Sequence, residues 1–167
     1  VEDIDEMESM VEELLYYAKM ERPNAEIQTS SVALSSFTQS LLPKWQRDTQ
    51  LSVLIDDSSS PMTTIEADPQ LLKRALDNLL RNAMRYAQNQ IVLEIAESPD
   101  KSCIRIHDDG CGVEEKDWPH LFDAFYSADK SRNKSTSGFG LGLAIVKQIV
   151  ELQKGEVSIS HSPYGGA

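Results

Sequence analysis

"DPQLLKRALDNLLRNAMRYAQ", residues 68–88, is the stretch that decides the fold. Asp68 is a residue type that caps helix N-termini, and Pro69 suits the first helical position, where its missing N–H costs nothing. At about 100° per residue, Leu72, Ala75, Leu76, Leu79, Leu80, Ala83 and Ala87 share one broad stripe. The stretch therefore predicts an amphipathic helix laid on a core. Asn78 and Asn82 stand four apart along one edge of the stripe, with Arg85 and Tyr86 about one turn further. Asparagine is a mediocre helix former, so its repetition asks for a reason. Two stacked carboxamides can bind a cation through their oxygens or phosphate through their NH₂ groups. A solvated polar face is the plainer alternative.

Beyond this helix, "QIVLEIAE" and "SCIRIHD" read as two strands joined by "SPDK". In "CIRIHDDGCGV", alternation sets Ile104, Ile106 and Asp108 on one side of the strand. Cys103, Arg105 and His107 fall on the other, which makes His107 a surface or edge residue. Asp108 then ends the buried side, and a buried carboxylate needs donors. Gly110 and Gly112 follow and permit close backbone approach. A carboxylate beside such a turn suits an exocyclic amine such as that of adenine; satisfaction by turn amides is the alternative. "LFDAFYSADKSRNKSTS" is polar and rich in small residues, the pattern of a loop. Gly138, Gly140 and Gly142 then open the apolar run "LAIVKQIVE". Free N–H groups at a helix start favour an anion, and Lys130, Arg132 and Lys134 lie just upstream. A flexible hinge is the alternative. The spacing is neither that of a dinucleotide fingerprint nor that of a Walker loop.

On the other side of residues 68–88, "VALSSFTQSLLPKWQR" reads as a helix, with Pro43 as an objection. "LSVLID" and "TTIEA" read as strands around the turn "DSSSP", and "EVSIS" as a last strand. Near the N-terminus Ile4, Met7, Val11, Leu14 and Ala18 form a short a/d seam, the mark of a helix packed on another helix, and Pro23 stops it. The element order predicts an α+β two-layer sandwich: a mixed sheet of about five strands, covered on one face by about three helices, with a helical remnant before it.

Composition narrows the function. The 167 residues carry 16 Lys and Arg against 27 Asp and Glu, a net charge of −11, which argues against a nucleic-acid surface. An anionic ligand must then be met by local groups. The acidic start "VEDIDEMESM" is not a signal peptide, and no apolar run reaches membrane-spanning length. Cys103 and Cys111 lack metal-ligand spacing and read as free thiols.

Taken together, four short blocks resemble the catalytic ATP-binding domain of bacterial sensor histidine kinases, within the gyrase, Hsp90 and MutL ATPase superfamily. "LDNLLRNAMRY" is similar to the N box, "DDGCG" to the G1 box, "LFDAFYSADKSR" to the F box and "GFGLGL" to the G2 box. They stand in the family's order. "NAMRY" and "GGA" look most like the EnvZ and RstB group, whose partners are OmpR-type response regulators, and "VEELLYYAKMERP" resembles the end of a second dimerisation helix.

The resemblance implies a Bergerat-type ATP-binding fold over residues 23–167 and the end of a dimerisation helix over 1–22. It implies ATP and Mg²⁺ as cofactors, with Asn78 and Asn82 on the metal and phosphates and Arg85 reaching the phosphates. Tyr86 would pack near the adenine or ribose, Asp108 would take the adenine amine, and Gly110 and Gly112 would shape the base pocket. Phe122 and Phe125 would anchor a lid. Arg132 would approach the terminal phosphate and act with Asn82 in catalysis. Gly138, Gly140 and Gly142, with Leu141 and Leu143, would wrap the triphosphate. The reaction implied is transfer of the γ-phosphate to a histidine on the dimerisation helices, in the cytoplasmic part of a membrane-anchored homodimer.

Two features depart from the family's pattern. None of His107, His120 and His161 sits in a phosphoacceptor motif, so self-phosphorylation is not expected within this chain. Relatives usually continue past "SPYGGA" into one more strand, so an exposed sheet edge is expected. Two other classes stay open at this point: an unaided ATPase of the gyrase or MutL kind, and a non-catalytic nucleotide-fold docking module.

Overall fold

A computed structural model describes residues 2–21, 26–128 and 140–167. The elements in chain order are α1 (Glu2–Met20), β1 (Ser30–Ala33), α2 (Leu34–Arg47), β2 (Ser52–Asp56), β3 (Thr64–Ala67), α3 (Pro69–Tyr86), β4 (Gln90–Ser98), β5 (Lys101–Asp108), a 3₁₀ turn (Glu115–His120) and α4 (Gly142–Leu152). They fall into two compact units. One comprises Val1–Ile27 with Glu114–Val157, the other Gln28–Val113 with Ser158–Ala167.

The second unit holds the sheets. β2, β4 and β5 form a three-stranded sheet, with β2 parallel and β5 antiparallel to the central β4. The parallel pair needs a long crossover, and α3 lies within it. β4 and β5 are a hairpin closed at Ser98↔Lys101. β1 and β3 form a separate antiparallel pair. The five strands are therefore mixed, as expected, but split into two ladders. β2 and β3 flank the "DSSSP" turn without pairing to each other. β1 was hidden because Val32 and Ala33 run straight into α2 and read as its first residues.

Alternation sorts most of β4, although Val92 on the opposite face is buried as well. Ile91, Leu93 and Ile95 are fully buried and join Val53, Leu76, Leu80, Ala83, Leu34 and Trp45 in one core. Burying such side chains contributes about 1.5–3 kcal/mol each, enough to override weak local preferences. Pro43 is one such override. It sits inside α2, yet the helix runs on to Arg47 because Trp45 is anchored in the core and its Nε1–H donates to Asp77 at 2.8 Å. Asp77 also accepts from Lys44 at 2.9 Å and Lys73 at 2.8 Å, tying α2 to α3. Burial pushes the Asp77 carboxyl up, but these three donors outweigh it and hold it below its ordinary value.

The start of α3 is built as its sequence predicts. The Asp68 side chain accepts from Gln70 N–H at 2.9 Å and Leu71 N–H at 3.2 Å, with Pro69 behind it. Its other oxygen accepts from Gln28 N–H at 2.9 Å, so one cap also fixes the chain entering β1.

In the first unit α1 packs on α4. Met7, Val11 and Leu14 of the predicted seam are exposed, at 67%, 52% and 42%. The proposed stop at Pro23 lies outside the described residues. "EVSIS" does not form a strand. Val157 and Ile159 keep the alternation of burial, but among the described residues no strand pairs with this segment, and alternation alone cannot supply one. Among the described residues no helix is long and apolar enough to cross a membrane.

Asp77→Ala should cost about 1–3 kcal/mol in urea unfolding, because it strands the buried Trp45 N–H together with two ammonium groups. A loss under about 0.5 kcal/mol, the size expected of an ordinary surface change, would show that the three donors find other partners.

Candidate functional site

At the carboxyl end of β5, Asp108 and Gly110 stand beside the Tyr86 carbonyl. Asp108 is 8% exposed. Its Oδ1 accepts from Gly110 N–H at 2.8 Å and its Oδ2 from Ala167 N–H at 3.3 Å. Burial raises its pKa above the ordinary value, and the two amides only partly offset this. The donors are thus turn amides, the plainer of the two sequence readings. Each carboxylate oxygen still has a second acceptor position.

Asp109, the next residue, faces another way and does different work. It accepts from the N–H groups of Gln88, Asn89 and Gln90 and from the Asn89 side chain, at 2.8–3.2 Å. These bonds, led by that of Asn89 N–H, depress its pKa to about 2. They gather the chain leaving α3 onto the end of β5. The contact is close. A Cβ on Gly110 would overlap the Tyr86 carbonyl oxygen and sit 2.9 Å from Asp108 Oδ1. Glycine is required there by space, not by backbone angle. Gly112 needs its own freedom, with φ +69°.

Along α3, Asn78 is buried at 8% exposure, Asn82 and Tyr86 are half-buried, and Arg85 is exposed. A solvated face is thereby ruled out for Asn78. A neutral carboxamide within an otherwise apolar stripe costs free energy unless its dipoles are used. Amide oxygens one turn apart fit a hard cation that also takes phosphate oxygens and waters, so the donor set is compatible with Mg²⁺.

His107 corrects the sequence reading. It does face away from Asp108, but it is buried at 8% exposure rather than lying at the surface. Its Nε2–H donates to Glu94 Oε2 at 3.0 Å, and Arg105 donates to Glu94 Oε1 at 3.0 Å. The Tyr164 ring stands edge-on to the imidazole, with centroids 5.6 Å apart. The cover comes from the segment 162–167, which no local pattern near His107 announces.

In the first unit, Phe122 is half-buried and Phe125 is 60% exposed with φ +65°, a left-handed backbone that an aromatic residue rarely adopts. Its N–H donates to Gly140 C=O at 2.9 Å. Gly140 has φ +72°, and a Cβ there would lie 2.9 Å from the Phe125 backbone. Gly142 begins α4, Leu141 is fully buried and Leu143 half-buried. Arg132 and Gly138, like Lys130 and Lys134, lie outside the described residues.

Residues 67–167 match the family of histidine kinase-, DNA gyrase B- and HSP90-like ATPases. The sensor protein RstB of Escherichia coli K12 is 35% identical over 170 residues, covering 99% of this chain and 38% of that protein. The sensor histidine kinase CpxA of the same organism is 31% identical over 164 residues, covering 96% and 35%. The chain thus spans little more than a third of these curated relatives. Among solved structures, the ATP binding domain of PrrB from Mycobacterium tuberculosis superposes with a TM-score of 0.68 at 27% identity, covering 83% of this chain and 91% of that one. Full-length ShkA with AMPPNP superposes with a TM-score of 0.78 at 24% identity, covering 92% and 32%, and shows a shared fold.

Asp109 should make the fold acid-sensitive in a defined window. Its folded pKa lies below its unfolded one, so its contribution is complete above about pH 4 and is lost as pH falls toward about 2. Asp109→Asn should lower stability at pH 7 and flatten the fall across that window in urea titrations; an unchanged slope would count against this role. Gly140→Ala should cost about 1–3 kcal/mol from strain and overlap, measured by thermal unfolding. No loss would mean that the Phe125–Gly140 contact yields.

Proposed function

The chain belongs to the histidine kinase-, DNA gyrase B- and HSP90-like ATPase family, and on that premise we propose that it is the ATP-binding catalytic part of a two-component sensor histidine kinase. In this reading it binds Mg·ATP and presents the γ-phosphate to a histidine on dimerisation helices of the same kinase. The observation that carries the reading is Asp108: a buried carboxylate fixed by two amides, with acceptor positions left for an exocyclic amine. The names of the related sensor kinases support the kinase over an unaided ATPase.

Each residue then has a part. Asp108 accepts from the adenine amine, Gly110 and Gly112 let the base come close, and Tyr86 packs beside adenine or ribose. Asn78 and Asn82 hold the metal and phosphates, and Arg85 reaches the phosphates from the exposed side of α3. Mg²⁺, when bound, neutralises charge on the phosphates. Phe122 and Phe125 anchor the lid; Gly138, Gly140, Leu141, Gly142 and Leu143 line the triphosphate, and Arg132 meets the terminal phosphate. The protein's contribution is positioning and electrostatics, since the acceptor imidazole is the nucleophile.

Residues 1–22 are proposed as the end of a dimerisation helix, with the exposed Met7, Val11 and Leu14 as its seam toward a partner helix. An OmpR-type response regulator and a membrane-anchored full-length homodimer, with this part on the cytoplasmic side, complete the proposal.

Label from γ-labelled ATP should pass to a separately supplied dimerisation-helix protein bearing the acceptor histidine. Asn82→Ala should abolish transfer and lower Mg²⁺-dependent ATP affinity by about tenfold or more in calorimetry, the fold remaining intact. Rapid hydrolysis without transfer would favour the ATPase alternative. Absence of ATP binding would favour a docking module.

A further inference from the structure

We propose that His107 is a positioning residue for base recognition: through Tyr164 it holds the 162–167 turn that keeps Asp108 aimed at the purine amine. The inference rests on the reading that Asp108 recognises the base.

The argument starts from a constraint of strand geometry. His107 and Asp108 are consecutive on β5, so their side chains leave opposite faces of the sheet and cannot serve one ligand directly. The segment 162–167 passes the end of the strand and touches both. Tyr164 lies edge-on to His107 on one side. On the other, Ala167 N–H reaches Asp108 Oδ2 at 3.3 Å. Backbone bonds join the two, from Asp108 N–H to Ala167 C=O at 2.9 Å and from Gly166 N–H to Asp108 C=O at 3.1 Å.

The segment also carries bonds within itself. Its own bonds are Ser162 N–H to Gly166 C=O at 3.0 Å, Gly165 N–H to Ser162 C=O at 3.1 Å and Tyr164 N–H to Ser162 Oγ at 3.1 Å. Gly165 has φ +109° and Gly166 has no room for a side chain, since a Cβ would collide with Asp108. "SPYGGA" therefore carries one bulky ring, and the imidazole is what that ring meets. The imidazole is itself fixed. Glu94 accepts from His107 Nε2–H on one oxygen and from Arg105 on the other, across the β4–β5 ladder. A line of contacts thus runs from Arg105 through Glu94, His107 and Tyr164 to the Ala167 amide.

Of the two donors on Asp108, Gly110 N–H is local and shorter, whereas Ala167 N–H depends on the turn. Loosening the turn frees Oδ2 and lets the carboxylate rotate away from the base. The consequence is selective: a purine with an exocyclic amine loses its partner, and one without it loses nothing.

The test is calorimetric binding of Mg·ATP and Mg·ITP to the full chain, in the original protein and in His107→Ala, Tyr164→Ala and His107→Phe. ITP carries a carbonyl where ATP carries the amine. The original protein should prefer ATP by about tenfold. His107→Ala and Tyr164→Ala should lower ATP affinity by about tenfold while ITP affinity stays within about twofold. His107→Phe, which keeps a ring against Tyr164, should restore most of the ATP affinity. Tyr164 is 43% exposed, so its variant keeps the test valid should His107→Ala fail to fold. Undiminished ATP affinity in folded Tyr164→Ala overturns the inference, as does equal weakening of both nucleotides, which marks a merely structural role. If the original protein binds ATP and ITP alike, base recognition by Asp108 falls, and this inference falls with it.

Discussion

Two adjacent carboxylates at the end of β5 govern the second unit. Asp109 collects backbone amides from residues 88–90 and so fastens the exit of α3 to the end of the strand. Asp108, one residue earlier, is buried and keeps only two amide donors. The first is a joint; the second is the residue proposed to read the base. They differ because solvation and hydrogen bonding pull their pKa values in opposite directions, Asp109 down and Asp108 up. The joint helps bring the Tyr86 carbonyl against Gly110, beside the packing of α3 on the β4 side chains.

Much of this was legible in the amino-acid order, and the reasons are local. α3 could be placed because its cap, its proline and its apolar stripe agree. Asp108 could be placed on the buried side of its strand because period two is strict. Asn78 was harder. Its position on the stripe's edge was readable, but its burial depends on what packs beside it. What failed to show was non-local. β1 looks like the start of α2 until β3 arrives to pair with it. The five strands sort into two ladders because β2 turns to β4 rather than to its neighbour in sequence. "EVSIS" has the alternation of a strand, but no described strand pairs with it.

His107 is the instructive failure at the site itself. Alternation set its direction correctly and its burial wrongly, because the cover is contributed by Tyr164, more than fifty residues away. The same segment supplies Ala167 N–H to Asp108. A single short turn, unremarkable as sequence apart from its glycines, thereby reaches both faces of one strand end. Local patterns report which way a side chain points; what meets it there is decided by topology.

Asp108, held by Gly110 and Ala167, is proposed as the group that receives the purine. Amide NMR on the ¹⁵N-labelled chain tests it most directly, by adding Mg·ATP stepwise and following individual residues. The Gly110 and Ala167 amides should shift together, with one saturation curve, as the carboxylate they share takes on a new donor. ATP saturating the protein while both amides stay in place would contradict it.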